Sequence, residues 1–161
     1  MGSHDHIMTP VIFGPDTERV TIYATAGRYY QERRDKKQTP DFGLYADRIW
    51  YPSDTRNEFL FWPDFGIPKL LRVAQLQIID AYIRACKGEI VEVGCIGAHG
   101  RTGTILACMA VLAGHENPVE WVREHYCPRA VETSQQADYV DWFENHSFGD
   151  KSYDLGLGNE W

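Results

Sequence analysis

The hydrophobic positions of this chain form short runs in its N-terminal half and longer, helically spaced runs in its C-terminal half. Short apolar runs that end at Gly, Pro or Asp favour strands, whereas spacings of three and four residues favour helices. The predicted strands cover Val11–Phe13, Val20–Ala24, Gly43–Trp50, Glu58–Phe61 and Glu89–Val93. Strands that alternate with helices predict an α/β fold, in which a central, mostly parallel, twisted sheet is flanked by helices.

Residues that start and stop helices bound four predicted helices. The helices run from Pro68 to about Lys87, from Ile105 to Ala113, from Pro118 to about Tyr126, and from Thr133 or Ser134 to about Asn145. Pro68 suits a first helical turn, Gly88 suits a stop and Asn117 suits an N-cap. The helix from Ile105 is apolar on nearly all sides, so we expect it to be buried at the centre of the domain.

These elements fall between residues 8 and 146, which we expect to form a single domain. A chain of 161 residues is long enough for one buried core and short for two. We expect residues 1–7 to be a tag remnant or a disordered start, and residues 147–161 to be a C-terminal tail. The charged segment from Arg28 to Pro40 is predicted to be an exposed loop or short helix.

Composition and charge exclude several partners. The chain is 43% hydrophobic and carries a formal net charge of −7, which disfavours nucleic acid as a main partner. No segment approaches the length of a membrane span and the N-terminus lacks the features of a signal peptide, so we expect no membrane partner. We expect the protein to be a monomer.

The four cysteines, Cys86, Cys95, Cys108 and Cys127, have spacings that match no zinc motif. Cys86 and Cys108 lie in apolar helical segments, where we expect them to be core residues. A reactive thiol must stay reduced, which favours a cytoplasmic location. We therefore expect neither a metal nor a cofactor.

The segment from Cys95 to Thr102 carries the most chemical information. It lies between a predicted buried strand and a predicted buried helix, and it is rich in glycine. Backbone N–H groups and a helix N-terminus then surround one point, which forms an anion site and stabilises a thiolate. Arg101 adds planar donors that suit a tetrahedral oxyanion. The pattern predicts a cysteine nucleophile that faces a bound phosphate.

Two further segments, Trp62–Pro68 and Val131–Tyr139, accompany the Cys-x5-Arg-Thr loop in a consistent order. Together the three segments resemble those of the cysteine-dependent protein tyrosine phosphatases, in particular the compact tyrosine and dual-specificity group. In that resemblance Trp62–Pro68 corresponds to the mobile loop that carries a general acid, and Val131–Tyr139 corresponds to the glutamine loop. The resemblance covers Trp62 to Phe143.

The resemblance implies metal-independent hydrolysis of a phosphate monoester, with a phosphorylated protein or a small phosphate ester as substrate. Cys95 would attack phosphorus and form a cysteinyl phosphate, while Asp64 would act as general acid and then as base. Thr102 would hydrogen-bond the sulfur and Gln136 would position the attacking water. The phosphate would be held by the loop residues Ile96, Gly97, Ala98, His99, Gly100 and Arg101.

The loop differs from the family pattern at two positions, because Gly94 stands where the family has His and Ala98 where it has Gly. These differences leave open a non-catalytic phosphate-binding module, since a distorted loop can bind without attacking. A substrate that is a nucleotide, an RNA 5′-phosphate or a phosphoinositide is a further alternative. A sulfur-transfer or arsenate-reducing enzyme would share the cysteine loop but would have no use for Asp64.

Overall fold

The computed structural model describes residues 6–27, 39–47 and 56–147. Within these ranges the chain forms five strands and four helices. The strands are β1 (Thr9–Phe13), β2 (Val20–Ala26), β3 (Phe42–Tyr45), β4 (Arg56–Phe59) and β5 (Val91–Cys95). The helices are α1 (Leu71–Cys86), α2 (Gly100–Leu112), α3 (Pro118–His125) and α4 (Ser134–Ser147).

The strands form one sheet in the order β1-β2-β5-β3-β4. Strand β1 is antiparallel to β2, and every other pairing is parallel. Glu92 in β5 is paired with Tyr23 on one side and with Gly43 on the other, so β5 is the central strand. The predicted α/β fold with a mostly parallel sheet is confirmed.

Burial explains why β5 and α2 lie at the centre of the fold. All five residues of β5 are buried, and so are all residues of α2 except Leu112. This continuous apolar character is typical of parallel strands and helices that are covered on both sides. The predicted central helix is therefore confirmed, although it begins at Gly100, five residues before the predicted start.

A polar network crosses the sheet at Glu92, whose side chain is fully buried. Its carboxylate accepts hydrogen bonds from Thr25 Oγ1 at 2.5 Å and from the Tyr45 hydroxyl at 2.6 Å. The Tyr45 ring lies directly over Gly43, where a Cβ atom would collide with it. A buried carboxylate needs such partners because burying a charge without hydrogen bonds is costly. Glycine at position 43 makes room for the Tyr45 ring, and so for one of these two donors.

Two further predicted boundaries and one predicted core position were wrong. Helix α1 begins at Leu71 and not at Pro68, although it ends as predicted before Gly88, which has a φ of +98°. Strand β4 lies two residues earlier than predicted and is mostly exposed, as suits a strand at the sheet edge. Cys86 is exposed and not in the core, because it is the last residue of α1.

Some predictions fall outside the described residues. They concern most of the charged segment from Arg28, the end of the third predicted strand and the tail beyond residue 147. The chain is described from His6, which is 4% exposed and whose carbonyl accepts the Ala26 N–H at 2.7 Å. The domain limits at residues 8 and 146 stay predictions. None of the described helices combines the length and apolar character needed to cross a membrane.

Candidate active site

Cys95 is the last residue of β5, and its sulfur lies at the mouth of the loop that leads into α2. Sγ accepts hydrogen bonds from the Ala98 N–H at 3.2 Å and from Thr102 Oγ1 at 3.0 Å. Cys95 is 5% exposed and Thr102 is fully buried. Two donors aimed at one sulfur suit a thiolate acceptor, and Thr102 has the contact that was predicted for it.

Ala98 has a φ of +60°, a left-handed conformation that favours glycine. The Tyr126 hydroxyl donates to the Ala98 carbonyl. Burial raises the pKa of Tyr126, which keeps this hydroxyl protonated and able to donate. The departure from the family glycine is therefore accommodated by strain at one residue, held by a hydrogen bond and by complete burial of the Ala98 side chain.

Arg101 is 4% exposed, and both of its terminal nitrogens donate hydrogen bonds. Nη1 donates to the carbonyls of Ala46 and Trp62 at 3.1 and 3.0 Å and to Asp47 Oδ1 at 2.9 Å. Nη2 donates to Asp47 Oδ2 at 2.9 Å and lies 3.5 Å from Asp64 Oδ1. Nε has no hydrogen-bond partner among the described residues. This N–H is therefore one buried donor of Arg101 that the described residues leave unsatisfied.

Asp47 follows β3 and was not among the predicted site residues. Its Oδ2 also accepts the Ile96 N–H, at 2.7 Å, so one carboxylate joins the first loop amide to Arg101. Two parallel contacts between a carboxylate and a guanidinium fix the orientation of the guanidinium plane. The sequence did contain a signal for Asp47, namely an acidic residue in the second half of the predicted strand Gly43–Trp50. The carboxyl ends of neighbouring parallel strands meet at one edge of a sheet, which places that residue near Cys95.

Asp64 extends from the acid loop toward Arg101 and is 61% exposed at its side chain. The loop around it is anchored by Trp62, which is 2% exposed and donates from Nε1 to the Gly66 carbonyl at 2.6 Å. Phe65 follows Asp64 with a φ of +60°, and its ring is exposed. The loop therefore presents a carboxylate and an aromatic ring on a backbone that is fixed from behind.

Gln136 is fully buried in the first turn of α4. Its Nε2 donates to the Gly66 carbonyl at 3.1 Å, and its Oε1 accepts the N–H groups of Glu132 and Thr133 at 2.8 and 3.3 Å. The amide is thus occupied by main-chain groups of the acid loop and of the glutamine loop. In this conformation Gln136 connects the two loops and does not line the cavity.

A cavity of about 150 Å³ lies between these elements. It is lined by Asp64, Phe65, Cys95, Ile96, Gly97, His99, Gly100, Arg101, Arg129 and Glu132. Glu132 lies against Gly100, where a Cβ atom would meet its carboxylate. The structure therefore brings together Cys95, Arg101 and Asp64 with four more of the predicted loop residues, whereas Ala98, Thr102 and Gln136 support the cavity from outside its lining.

Sequence reasoning missed four residues at this site, namely Asp47, Phe65, Arg129 and Glu132. Phe65 and Glu132 lie inside the two segments that carried the resemblance, next to predicted residues. Arg129 has no distinguishing local pattern. His99 was expected to hold phosphate, and it does border the cavity, but its Nδ1 lies 3.6 Å from Cys127 Sγ and the residue is 8% exposed.

Sequence comparison finds relatives over part of the chain. No protein-family model matches the sequence. Two uncharacterized proteins of Methanocaldococcus jannaschii are 43% and 42% identical to the chain over 98 residues, which is 60% of this chain. The aligned region is 65% and 60% of the length of those two proteins, so the chain spans less than two thirds of either.

Solved structures of phosphatases share the fold. Tk-PTP in its active form superposes with a TM-score of 0.63 at 21% identity, over 77% of this chain and 91% of its own. Kinase associated phosphatase, with its catalytic cysteine replaced by serine, superposes with a TM-score of 0.62 at 12% identity, over 89% of this chain and 96% of its own. Human DUSP28 superposes with a TM-score of 0.61 at 10% identity, over 77% of this chain and 91% of its own. The chain therefore has a protein tyrosine phosphatase-like fold.

Proposed function

We propose that this protein hydrolyses phosphate monoesters through a cysteinyl-phosphate intermediate, with phosphotyrosine in proteins as the preferred substrate. The observation that carries the proposal is the convergence of Cys95, Arg101 and Asp64 on one cavity, where Nε of Arg101 has no partner among the described residues. A module that only binds phosphate needs no acid beside the arginine. The phosphatase-like fold supports the same conclusion.

In the first step the Cys95 thiolate attacks phosphorus, and the bond from phosphorus to the leaving oxygen breaks. Arg101 and the loop amides hold the equatorial oxygens, where negative charge is spread in the transition state. Asp64, in its protonated form, gives its proton to the leaving oxygen and becomes a carboxylate. The alcohol or phenol leaves, and a phosphoryl group remains on sulfur.

In the second step water attacks the phosphoryl group, and the bond between sulfur and phosphorus breaks. Asp64 accepts the proton from the water, and Thr102 stabilises the departing thiolate through its hydrogen bond of 3.0 Å. Inorganic phosphate is released. Cys95 is again a thiolate and Asp64 is again protonated. Glu132 lines the cavity whereas Gln136 is occupied elsewhere, so we assign the contact with the water to Glu132 and the fastening of the acid loop to Gln136.

The rim of the cavity supports an aromatic substrate. The Phe65 ring is 59% exposed beside Asp64, where it can pack against the ring of a phosphotyrosine. Arg129 lies on the same cavity and offers a positive charge to an acidic residue near the phosphorylated one. A cavity of about 150 Å³ with an aromatic ring at its edge favours a phosphate carried by an aryl group.

Turnover of phosphotyrosine peptide and of p-nitrophenyl phosphate tests the proposal. Cys95→Ser should lower kcat by at least about 10³-fold and leave phosphate binding nearly unchanged, because oxygen at neutral pH is a poor nucleophile without a base. Asp64→Ala should lower kcat by about 10²-fold or more on phosphotyrosine and far less on p-nitrophenyl phosphate, whose leaving group needs no proton.

Asp138→Asn removes an exposed carboxylate from α4 and is the matched control, for which both rates should stay at the parent level. Full turnover by Cys95→Ser would overturn the mechanism. Equal losses on the two substrates in Asp64→Ala would remove Asp64 as the acid while leaving the nucleophile in place.

A further inference from the structure

Three side chains with metal-binding atoms meet at the loop from Cys95 to Thr102, here called the phosphate loop, and none of the three has a step assigned to it in the proposed reaction. They are His6, His99 and Cys127, which are 4%, 8% and 1% exposed. One ligand atom from each lies within 4.8 Å of the other two. The three residues come from the N-terminal segment, the phosphate loop and the segment after α3, so no sequence spacing indicates them.

The separation between His99 and Cys127 suits a small divalent ion. In tetrahedral zinc sites the Zn–N and Zn–S bonds are about 2.05 and 2.3 Å, which places the nitrogen and sulfur atoms about 3.6 Å apart. His99 Nδ1 and Cys127 Sγ are 3.6 Å apart. Two imidazoles and a thiol form a nitrogen and sulfur donor set that selects zinc over magnesium or calcium.

The surroundings hold the ligands near these positions before an ion arrives. The His6 carbonyl accepts the Ala26 N–H at 2.7 Å, which continues the hydrogen bonding of β2 and fixes the backbone of His6. The His6 ring also packs on Tyr126 at 4.6 Å between centroids, and the Tyr126 hydroxyl donates to the Ala98 carbonyl. Ordered ligands lose less freedom on binding, so an ion is held more tightly.

We propose that His6, His99 and Cys127 form a zinc site with three protein ligands and one open coordination position. The thiol of Cys127 gives up its proton to solvent when the ion binds. His99 lies in the phosphate loop between Ala98 and Gly100, so the bound ion joins the N-terminal segment to that loop. Zinc takes no part in the proposed hydrolysis, although His99 also borders the cavity.

Titration with Co²⁺, a spectroscopic substitute for zinc, tests the site in the full 161-residue chain without an added polyhistidine segment. All proteins carry Cys95→Ser, which removes the catalytic thiol as a competing ligand. The parent should bind one Co²⁺ and develop the near-ultraviolet charge-transfer band of a cobalt–thiolate bond. Zinc should displace Co²⁺, abolish the band and raise the Tm.

The variants assign the ligands. Cys127→Ser should lose the charge-transfer band, while His6→Ala and His99→Gln should each weaken Co²⁺ binding at least tenfold. Cys86→Ser removes the exposed thiol at the end of α1 and is the matched control, so its band and affinity should equal those of the parent.

An absent band in the parent, or a band that persists in Cys127→Ser, overturns the proposal. Circular dichroism in the presence of a chelator identifies any variant that fails to fold. If Cys127→Ser fails to fold, the decision rests on His6→Ala and His99→Gln, and unchanged affinity in both overturns the site. Because every protein in the test lacks the nucleophile, failure of the proposed phosphatase activity cannot be mistaken for failure of the metal site.

Discussion

The Asp47 carboxylate accepts one hydrogen bond from each terminal nitrogen of Arg101, at 2.9 Å in both cases. The same carboxylate accepts the Ile96 N–H at 2.7 Å. Asp47 thus occupies the edge of the guanidinium formed by Nη1 and Nη2, and Nε has no partner among the described residues. A residue outside the cavity lining therefore fixes the orientation of an arginine that lines the cavity.

We expect Asp47→Ala to lower kcat by about 10²-fold, because a misplacement of about 1 Å at a catalytic group has effects of that size. The guanidinium would lose its orientation, so the affinity for inorganic phosphate as a competitive inhibitor should also fall. Steady-state kinetics with a phosphate inhibition series measures both.

Asp41→Asn is the matched control for Asp47→Ala. Asp41 precedes β3 and also accepts a main-chain N–H, that of Ile90 at 2.7 Å, but it has no contact with Arg101. Its kinetic constants should stay near those of the parent. If Asp47→Ala instead bound phosphate more tightly, Asp47 would be a competitor for the arginine and not its positioning residue.

Gln136→Ala should release the acid loop. Without the bond of 3.1 Å to the Gly66 carbonyl, Asp64 is presented less often in the right place. We expect about a tenfold lower kcat on phosphotyrosine and little change on p-nitrophenyl phosphate. Gln135→Ala, at the exposed neighbouring position, should change neither.

Rapid-quench measurement of the phosphoenzyme decides between two roles for Gln136. If it fastens the acid loop, the intermediate forms slowly and does not accumulate in Gln136→Ala. Accumulation of cysteinyl phosphate at a normal rate of formation would show that Gln136 acts on the water, as the family resemblance implied.

Two glycines of α2 should respond differently to alanine. A Cβ atom at Gly103 would lie 2.5 Å from the Ala130 Cβ and 2.7 Å from the Ala130 Cα, so the backbone itself must shift. At Gly100 the added atom would meet only the end of the exposed Glu132 side chain, which can turn away. Gly103→Ala should therefore lower the free energy of unfolding by about 2 kcal/mol.

Gly100→Ala should change the free energy of unfolding by less than about 1 kcal/mol, because alanine favours the helix. Urea denaturation of the two variants measures the difference. Equal stabilities would refute the close approach of α2 to Ala130.

Stability should depend on pH through His115, whose Nε2 accepts the Gly14 N–H at 3.0 Å. Burial, and then the charge of His125, lower the pKa of His115 below its usual value of 6.5. The folded state therefore binds fewer protons than the unfolded state. The contribution of His115 is fully present above pH 6.5 and is lost as the pH falls through the folded pKa.

Thermal unfolding at pH 7.5 and at pH 5 measures this contribution. Between pH 7.5 and pH 5 the Tm of the parent should fall further than the Tm of His115→Ala, which has no imidazole at this position to protonate. His125, which also stacks on Trp121, affects the same equilibrium. His125→Ala should therefore raise the folded pKa of His115 and reduce the loss. A parent and a His115→Ala protein with the same pH profile would exclude the effect.

Local patterns were sufficient to predict the centre of the fold. The run from Glu89 to Val93 and the apolar segment from Ile105 predicted β5 and α2, because burial on both sides leaves a continuous apolar sequence. The edge strand β4 was misplaced, since an exposed strand carries no such pattern. The predicted start of α1 at Pro68 was too early, because proline suits a first helical turn and equally well the loop before a helix.

The predicted site was most complete where its residues are close in sequence. Cys95, Arg101 and Thr102 share one loop, and the contact of Thr102 with the sulfur agrees with its predicted role. The contact between Asp47 and Arg101 spans 54 positions and appears only when β3 is placed beside β5. Likewise, the pairing of His99 with Cys127 depends on how α3 returns to the phosphate loop.

Arg101 also donates to the carbonyls of Ala46 and Trp62, which belong to separate stretches of the chain. Neither stretch can open without breaking a bond to the same guanidinium. The Ala46 amide is bonded to the Gly94 carbonyl and the Leu60 amide to the Tyr45 carbonyl. Their hydrogens should therefore exchange with solvent deuterium at a common rate, as members of one cooperative unit. A bound oxyanion should slow both to the same extent.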